Sequence, residues 1–347
     1  MAIETKLRVF SGIQPTGAKH LGNYAGGFRQ YAATQERGEG YFCIVDLHSI
    51  SVDYDPAELR SSTLDLAAML FAAGLDAARS TVFCQSHVTA HAEAAWLLSS
   101  VAGYGQLGRM TQFKEKAAAQ EFVSAALFTY PVLMAGDILL YQTDVVPVGD
   151  DQRQHLELTR DIAQRFNYRY GETFRVPEAI IPEIGGRIMD LQEPTAKMST
   201  TLSSEQGAVY ISDSPDTIRK KFKAAVTDSG REIRYDPLVK PGVSNLLEIM
   251  SVATGRPIDA LERRFDGAGY GEFKEAVGQS VVELLAPVRE RFEALRSDER
   301  ELQRLLAVGA EKARRASEPT LELVYERMGF VKSEAGRFFG AARPRRL

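Results

Sequence analysis

The residue whose setting most demands a chemical explanation is Asp137. It is the one carboxylate within Thr129-Tyr-Pro-Val-Leu-Met-Ala-Gly-Asp-Ile-Leu-Leu-Tyr141, a segment apolar nearly all round, with Pro131 suited to a first helical turn. Such a helix belongs in the interior, where an unpaired carboxylate is costly by several kcal/mol. Tyr130, Met134 and Tyr141 stand at spacings that put them on its face of the helix. Two arrangements satisfy the charge: an internal bond to a neighbouring Arg or backbone group, or a carboxylate held to accept a hydrogen bond from a ligand N–H.

A second stretch suited to chemistry is Phe10-Ser-Gly-Ile-Gln-Pro-Thr-Gly-Ala-Lys-His-Leu-Gly-Asn23. A short apolar strand (Leu7, Val9, Phe10) runs through Gly12, Pro15 and Gly17 into an amphipathic helix expected to open at Asn23, a good N-cap. Strand, glycine-containing turn and helix start together present backbone N–H groups and a positive dipole end to an anion. Gly22 lets a ligand come close to the backbone. The same pattern is also the ordinary first unit of an α/β domain. Gly17 and Gly22 have Walker spacing, but Asn23 and Tyr24 stand where Lys and Ser or Thr are required, and no Gly-x-Gly-x-x-Gly occurs.

Other groups collect where strands end. Tyr41-Phe-Cys-Ile-Val45 is a continuous apolar run, as in a strand buried on both faces, and Asp46-Leu-His48 follows it. Ligands bind at the carboxyl edge of a parallel sheet, so His48 either lines a pocket or sits as a helix cap or solvated loop residue. Val145-Val-Pro-Val148 is a second buried strand, and the helix after it runs from Asp151 to Phe166. Asp150 and Asp151 either cap that helix or bond ribose hydroxyls. Arg109-Met-Thr-Gln-Phe-Lys-Glu-Lys116 is a basic run, a solvated face or the guard of a phosphate site. The Ser/Thr/Gly-rich end of Arg187–Gly207 has the profile of a mobile loop. His87 and His91 have the spacing of metal ligands, but with Glu93 alone nearby and no Cys cluster they read as a polar loop and first helical turn.

The elements that must position these groups alternate strand and helix. Tyr24, Phe28 and Tyr31 have helical spacing, with Gly38 and Gly40 expected to end that helix. Asp55-Pro-Ala-Glu58 starts the next helix, and Thr81-Val-Phe-Cys84 is a third strand. Consecutive helical patterns then interrupt the rhythm as an inserted block over about residues 90–145, beginning with the helix of Trp96, Leu97 and Leu98. Pro177 to Pro182 marks a linker. Beyond residue 212 strands disappear, and helices are expected near 215–226, 243–254, 257–264, 270–296, 298–309 and 309–329. The fold class is therefore α/β, a Rossmann-like doubly wound parallel sheet with an inserted helical block, plus a C-terminal α-helical domain. The boundaries expected are 1–190 for the catalytic domain, 191–211 for the Lys197 loop and linker, and 212–332 for the helical domain, whose last helix packs back on the first. Residues 333–347, with Arg337, Arg343, Arg345 and Arg346, read as a disordered basic tail, and Lys312, Arg314 and Arg315 as a phosphate-contacting patch or a solvated helix face.

At 347 residues the chain exceeds what one core usually serves, which agrees with two domains. A net charge of -4 gives no global pull toward nucleic acid, so any such binding needs a local patch. Cys43 and Cys84, both in strands, read as buried free thiols in a reducing compartment. The N-terminal residues lack a signal-peptide pattern and no apolar run approaches ~20 residues. A cytoplasmic, soluble protein without membrane contact is expected.

Taken in order, these segments resemble the class I aminoacyl-tRNA synthetases, in particular the bacterial tryptophanyl-tRNA synthetases. Phe10-Ser-Gly-Ile-Gln-Pro-Thr-Gly with His20-Leu-Gly-Asn23 is similar to that family's His-Ile-Gly-His signature, and Lys197-Met-Ser-Thr-Thr201 to its Lys-Met-Ser-Lys-Ser loop. Between them the basic run, the Asp137 helix and Val146-Pro-Val-Gly-Asp-Asp-Gln-Arg-Gln-His155 look like family segments that the tyrosyl relatives lack. Ala225-Val-Thr-Asp-Ser and Lys240-Pro-Gly-Val-Ser-Asn-Leu-Leu carry the likeness on, so that it covers about residues 8 to 330.

The resemblance implies activation of L-tryptophan by ATP with Mg²⁺, release of pyrophosphate, and transfer to tRNA(Trp) by a homodimer. It implies that Gln14, Pro15, Thr16, Gly22 and Asn23 cradle ATP, that Gly149, Asp150 and Asp151 hold the ribose, and that the Ile188 backbone and Met198 meet adenine. Lys197, with Ser199, Thr200 and Thr201 in its loop, would neutralise transition-state charge, with Lys116 as a helper and Gln14 in a catalytic role. Asp137 would accept the indole N–H, among Tyr130, Met134, His48, Val45, Val146, Val148 and Gln152. The chain departs from the pattern at Thr200, where a second lysine is usual, and Lys19, Lys114 or Lys116 would stand in for it. A tyrosyl-type synthetase, a dinucleotide-dependent oxidoreductase and an inactive RNA-binding or regulatory homologue are the competing readings.

Overall fold

The structure, a computed structural model, describes residues 7–35, 38–118, 120–149, 152–180, 188–199 and 203–332. Strands β1 (Leu7–Ile13), β2 (Gly38–Ile44), β3 (Thr81–Cys84), β4 (Val145–Pro147) and β5 (Glu178–Ile180) form one parallel sheet in the order β3-β2-β1-β4-β5. The chain steps outward from β1 to β3 and then returns to β1's other side. The carboxyl ends of β1 and β4 therefore flank the crevice that such a reversal leaves.

After β1 come α1 (Leu21–Asn23), a π-helical turn (Tyr24–Phe28) and α2 (Arg29–Thr34). After β2 come α3 (Asp46–Ser49) and α4 (Pro56–Ala72), the latter opened by the Asp55 carboxylate accepting the N–H groups of Ala57 and Glu58. The inserted block after β3 is α5 (Ala90–Ser99), α6 (Tyr104–Leu107), α7 (Thr111–Ala118) and α8 (Ala125–Leu139), and α9 (Arg153–Tyr170) follows β4. Helices α10 (Pro215–Ala224), α11 (Pro241–Thr254), α12 (Ile258–Arg264), α13 (Tyr270–Ser297) and α14 (Glu299–Arg327) complete the chain, with no strand after β5 among the described residues. Among these, no helix is long and apolar enough to cross a membrane.

The core follows the two faces of the sheet. Side chains alternate along a strand, so Phe42 and Ile44 of β2 join one cluster, with α4, α10, α11 and α13, while Tyr41 and Cys43 join the other, with α5, α8 and α9. Both Cys43 and Cys84 are buried free thiols. Helix α14 belongs to both clusters, Leu302 and Leu306 to the first and Ala310, Ala313, Leu321 and Val324 to the second. It passes from one face to the other across the edge strand β3. Gly309 marks the crossing: a β-carbon there would overlap the Val82 carbonyl oxygen. The helix thereby covers an edge that would otherwise invite pairing.

Several local expectations are corrected. Asn23 is not an N-cap; the helix starts one turn earlier with His20 at the cap, and the Asn23 side chain reaches back to accept the His20 N–H at 3.0 Å. Gly38 and Gly40 lie inside β2, where a β-carbon at Gly38 would overlap the Leu7 carbonyl oxygen of β1. Pro131 sits inside α8, because Ser124 caps that helix nearly two turns before it. The Pro177–Pro182 segment contains the short strand β5, which its prolines conceal. The helices expected at 298–309 and 309–329 are one helix, α14, unbroken through Pro319. Lys312 donates to the Ala77 carbonyl at 2.5 Å and is not on a free patch, while Arg314 and Arg315 pair with Glu311 along their own helix, the solvated-face alternative. The 333–347 tail lies outside the described residues.

Gly309→Ala should destabilise the protein although Ala is the better helix former by ~1 kcal/mol, because forcing a methyl against β3 costs typically ~1–3 kcal/mol or more. A urea midpoint for Gly309→Ala at or above that of the wild type would show that α14 does not cross β3 this closely.

Candidate active site

The crevice at the carboxyl edge of β1 and β4 is a cleft of about 1200 Å³. Asp137 lies at one part of it, buried to 1% exposure on α8. Its partners are neither Arg nor backbone but three side chains brought from distant segments. Gln85, just past β3, donates its amide N–H to Oδ1 at 2.7 Å, and its own carbonyl accepts the Leu47 N–H, which fixes the amide's orientation. His91 Nδ1, on the first turn of α5, donates to the same oxygen at 2.6 Å, and its Nε2 meets the Tyr141 hydroxyl at 2.8 Å. His48 Nε2, on α3 beyond β2, donates to Oδ2 at 2.9 Å.

A carboxylate only accepts, so each facing ring nitrogen carries the proton. The Tyr141 hydroxyl then donates to His91 Nε2, and a neutral imidazole satisfies both contacts. Burial alone would raise the Asp137 pKa, but the hydrogen bonds from His48 and His91 outweigh it and hold the group at about 2. Asp137 is therefore a fixed negative charge. With about four lone-pair sites on a carboxylate, two donors on Oδ1 and one on Oδ2 leave acceptor capacity on Oδ2, on a residue that lines the cleft.

Around it the walls are mainly apolar. Val45, Met134, Val146 and Val148 line the cleft, as do His48, Tyr130 and Gln152. Tyr130 is held by His155, whose Nε2 is 2.7 Å from the hydroxyl, and burial pushes the phenol up to about 12. Tyr141, expected on this face, is instead fully buried against His91 and does not reach the cleft.

The rest of the cleft is cationic. Gln14, Gly22, Asn23, Gly149, Ile188 and Lys197 line it, and so does Lys116, whose ammonium lies 5.5 Å from the Tyr130 ring centroid. Burial lowers the pKa of Lys116. Pro15 is buried, Thr16 faces outward, Met198 is packed in the core, and the Ser199 N–H is bonded to Ser203; none of the four is in the wall. Asp150, Asp151, Thr200 and Thr201 lie outside the described residues. Two backbone bonds tie the N-terminal turn to the segment beyond the Lys197 loop, Leu21 N–H to Val209 and Ile211 N–H to Lys19, and within the loop's own segment Ile188 accepts the Met198 N–H at 3.0 Å. His20 lies between them at 5% exposure, held at about 4 by burial and by the charges of Lys19 and Lys197.

Sequence reasoning missed Gln85 and His91. The signal for Gln85 was its place directly after Cys84 at the ligand-binding edge. For His91 it was the need of a buried carboxylate for donors, set against a histidine on an Ala-rich turn.

A family model described as class I tRNA synthetases of the W and Y type matches residues 1–286. The chain is 50% identical over 331 residues to the tryptophan–tRNA ligase of Mycobacterium leprae, covering 93% of this chain and 96% of that one. It is 52% identical over 328 residues to the tryptophan–tRNA ligase of Leifsonia xyli, covering 94% and 97%. Among solved structures, the tryptophanyl-tRNA synthetase of Mycoplasma pneumoniae superposes with a TM-score of 0.85 at 36% identity, covering 94% of this chain and 99% of that one. That of Campylobacter jejuni complexed with ADP and tryptophan superposes with a TM-score of 0.82 at 34% identity, covering 93% and 100%.

The Asp137 shift from 3.8 to about 2 corresponds to on the order of 2 kcal/mol of stability. The folded pKa lies below the unfolded one, so this contribution is complete above about pH 4 and is lost as the pH falls toward 2. Urea unfolding from about pH 5 to 2.5 should therefore show a steeper loss for the wild type than for Asp137→Asn. Parallel pH profiles would contradict the assigned network.

Proposed function

The chain belongs to the class I tRNA synthetases of the tryptophan and tyrosine group, and from that membership we propose its reaction: it is a tryptophan–tRNA ligase, joining L-tryptophan to ATP as the adenylate with release of pyrophosphate and then passing the acyl group to tRNA(Trp). The observation that carries the choice of amino acid is Asp137, an ionised carboxylate with acceptor capacity left on one oxygen in an apolar wall. An indole N–H is the donor that completes it. A side chain of similar shape without a donor would leave the charge short of a partner, a difference that discriminates by ~10⁴–10⁵ without an editing site.

The chemistry asks for position and positive charge. An oxygen of the tryptophan carboxylate attacks the α-phosphorus, that P–O bond forms as the bond to the bridging oxygen breaks, and pyrophosphate leaves with the electron pair. No proton need move, so no general base is required; the developing charge on phosphate oxygens needs cations and N–H donors. Lys197 and Lys116 supply cations, Gln14, Gly22 and Asn23 the wall along the phosphates, and Gly149 with Asp150 and Asp151 the ribose contacts. The Ile188 backbone is the adenine side, with Pro15 and Thr16 shaping the turn and Met198, Ser199, Thr200 and Thr201 completing the loop. Mg²⁺ fits as an ion carried on the ATP oxygens. The described residues hold no group of three or more acidic, His or Cys side chains to cage it, and the cleft offers lysines where phosphates would lie. The helices from Pro215 onward are the surface proposed to read the tRNA anticodon, and a cytoplasmic homodimer is the proposed assembly. Exposed apolar residues on the inserted block, Trp96, Tyr104 and Phe122, suit a buried contact between copies.

The wild type should exchange pyrophosphate into ATP when L-tryptophan is present and not when L-tyrosine replaces it. Asp137→Asn should lower kcat/KM for tryptophan by ~100-fold or more, and Lys197→Ala should lower kcat by ~10- to 100-fold, the loss of a charge-assisted contact. Exchange driven equally by tyrosine, or unchanged in Lys197→Ala, would overturn the respective assignments.

A further inference from the structure

Three lysines line the cleft, Lys19, Lys116 and Lys197, and among the described residues none has a carboxylate within 4.0 Å. Lys19 is the one whose place is fixed by the fold. Its backbone carbonyl accepts the Ile211 N–H at 3.0 Å, and the next residue, His20, is bridged to Tyr210. Its ammonium donates to the carbonyls of Gln14 at 3.0 Å and Thr16 at 2.7 Å, which uses two of the three N–H donors. Two neutral carbonyls orient the charge without neutralising it. The Lys197-Met-Ser-Thr-Thr loop on the facing side supplies one ammonium only.

We propose that Lys19 is a further catalytic residue: its remaining N–H contacts the phosphate chain of ATP and neutralises charge on the departing pyrophosphate, as the fixed counterpart of Lys197. This rests on the adenylate-forming reading above. In the transfer step, negative charge accumulates on the bridging oxygen as its bond to the α-phosphorus breaks, and an ammonium already oriented needs no reorganisation to meet it. The electrostatics agree. Lys19 is held down to about 8 by burial, and it and Lys197 both act on His20, so two uncompensated cations converge where a polyanion would relieve them. The other ionisable groups around the cleft are Lys116, Glu248, His48, Tyr31, Tyr130 and Asp137.

The alternative is that Lys19 only closes the Gln14–Lys19 turn. Lys19→Met and Lys19→Arg separate the two, with tryptophan-dependent ATP–pyrophosphate exchange, ATP and tryptophan affinities by calorimetry, and thermal midpoints measured for each. Lys19→Met should weaken ATP binding or slow exchange by ~10- to 100-fold with tryptophan affinity unchanged. In the wild type, kcat/KM for ATP should fall as the pH rises through about 8, since the free enzyme loses that charge. Lys19→Arg should recover much of the rate and move that limb to higher pH. The proposal is overturned if Lys19→Met keeps wild-type exchange and ATP affinity, or if it loses tryptophan and ATP affinity together with thermal stability. Should Lys19→Met fail to fold, an unmoved alkaline limb in Lys19→Arg overturns it alone. A wild type that binds ATP but never exchanges pyrophosphate refutes the adenylate-forming reading instead, while weakened ATP binding in Lys19→Met would still assign Lys19 to the phosphates.

Discussion

The structure depends on satisfying one buried negative charge. Asp137 sits where burial alone would protonate it, and three donors from outside its own helix keep it ionised. Each donor stands at or just beyond the carboxyl end of a strand: His48 after β2, Gln85 and His91 after β3. Their convergence requires the parallel sheet in this order, the inserted block that carries α8 over the sheet, and Tyr141 behind His91. A half-satisfied network here would be worse than an apolar core, so the surrounding packing has to be specific. The same demand leaves one acceptor position on Oδ2, so the network that satisfies the charge within the fold also sets what the cleft can recognise.

The cationic part of the cleft is built on the opposite logic. There, among the described residues, no carboxylate lies within 4.0 Å of the lysines, and burial lowers the pKa of Lys19 and Lys116. A site that holds positive charge next to an apolar pocket with a buried, ionised acceptor suits a reaction joining a polyphosphate to an amino acid. The backbone pairing of Lys19 and Leu21 with residues 209–211 holds the N-terminal turn against the segment that follows Lys197, so the two halves of the anion site are one structural unit.

The sequence made four of the five strands readable, because buried parallel strands announce themselves as apolar runs and their edges collect the polar residues; β5 and the strand order were not. Asp137 was legible for the same reason, a charge where the pattern allows none. Its partners were not: they come from 46, 52 and 89 residues away, and local spacing carries no information about such pairs. His91 was legible as part of a first helical turn, but not its burial against Asp137. Gly38 and Gly40 looked like a helix stop when Gly38 serves close strand approach and Gly40 makes room for the Phe42 ring, and Gly309 gave no sign that a helix must slip past a strand edge. The mistaken cap at Asn23 is a different case, since the side chain does cap, but from inside the first turn.

The most direct measurement of the central claim replaces the donor rather than the acceptor. L-3-benzothienylalanine keeps the shape of tryptophan but has sulfur where the indole has N–H. Its kcat/KM in ATP–pyrophosphate exchange should fall below that of tryptophan by ~10²-fold or more, because Asp137 would be left short of a partner in a buried site. Equal rates with both amino acids would contradict the assignment of Asp137 as the group that reads the indole.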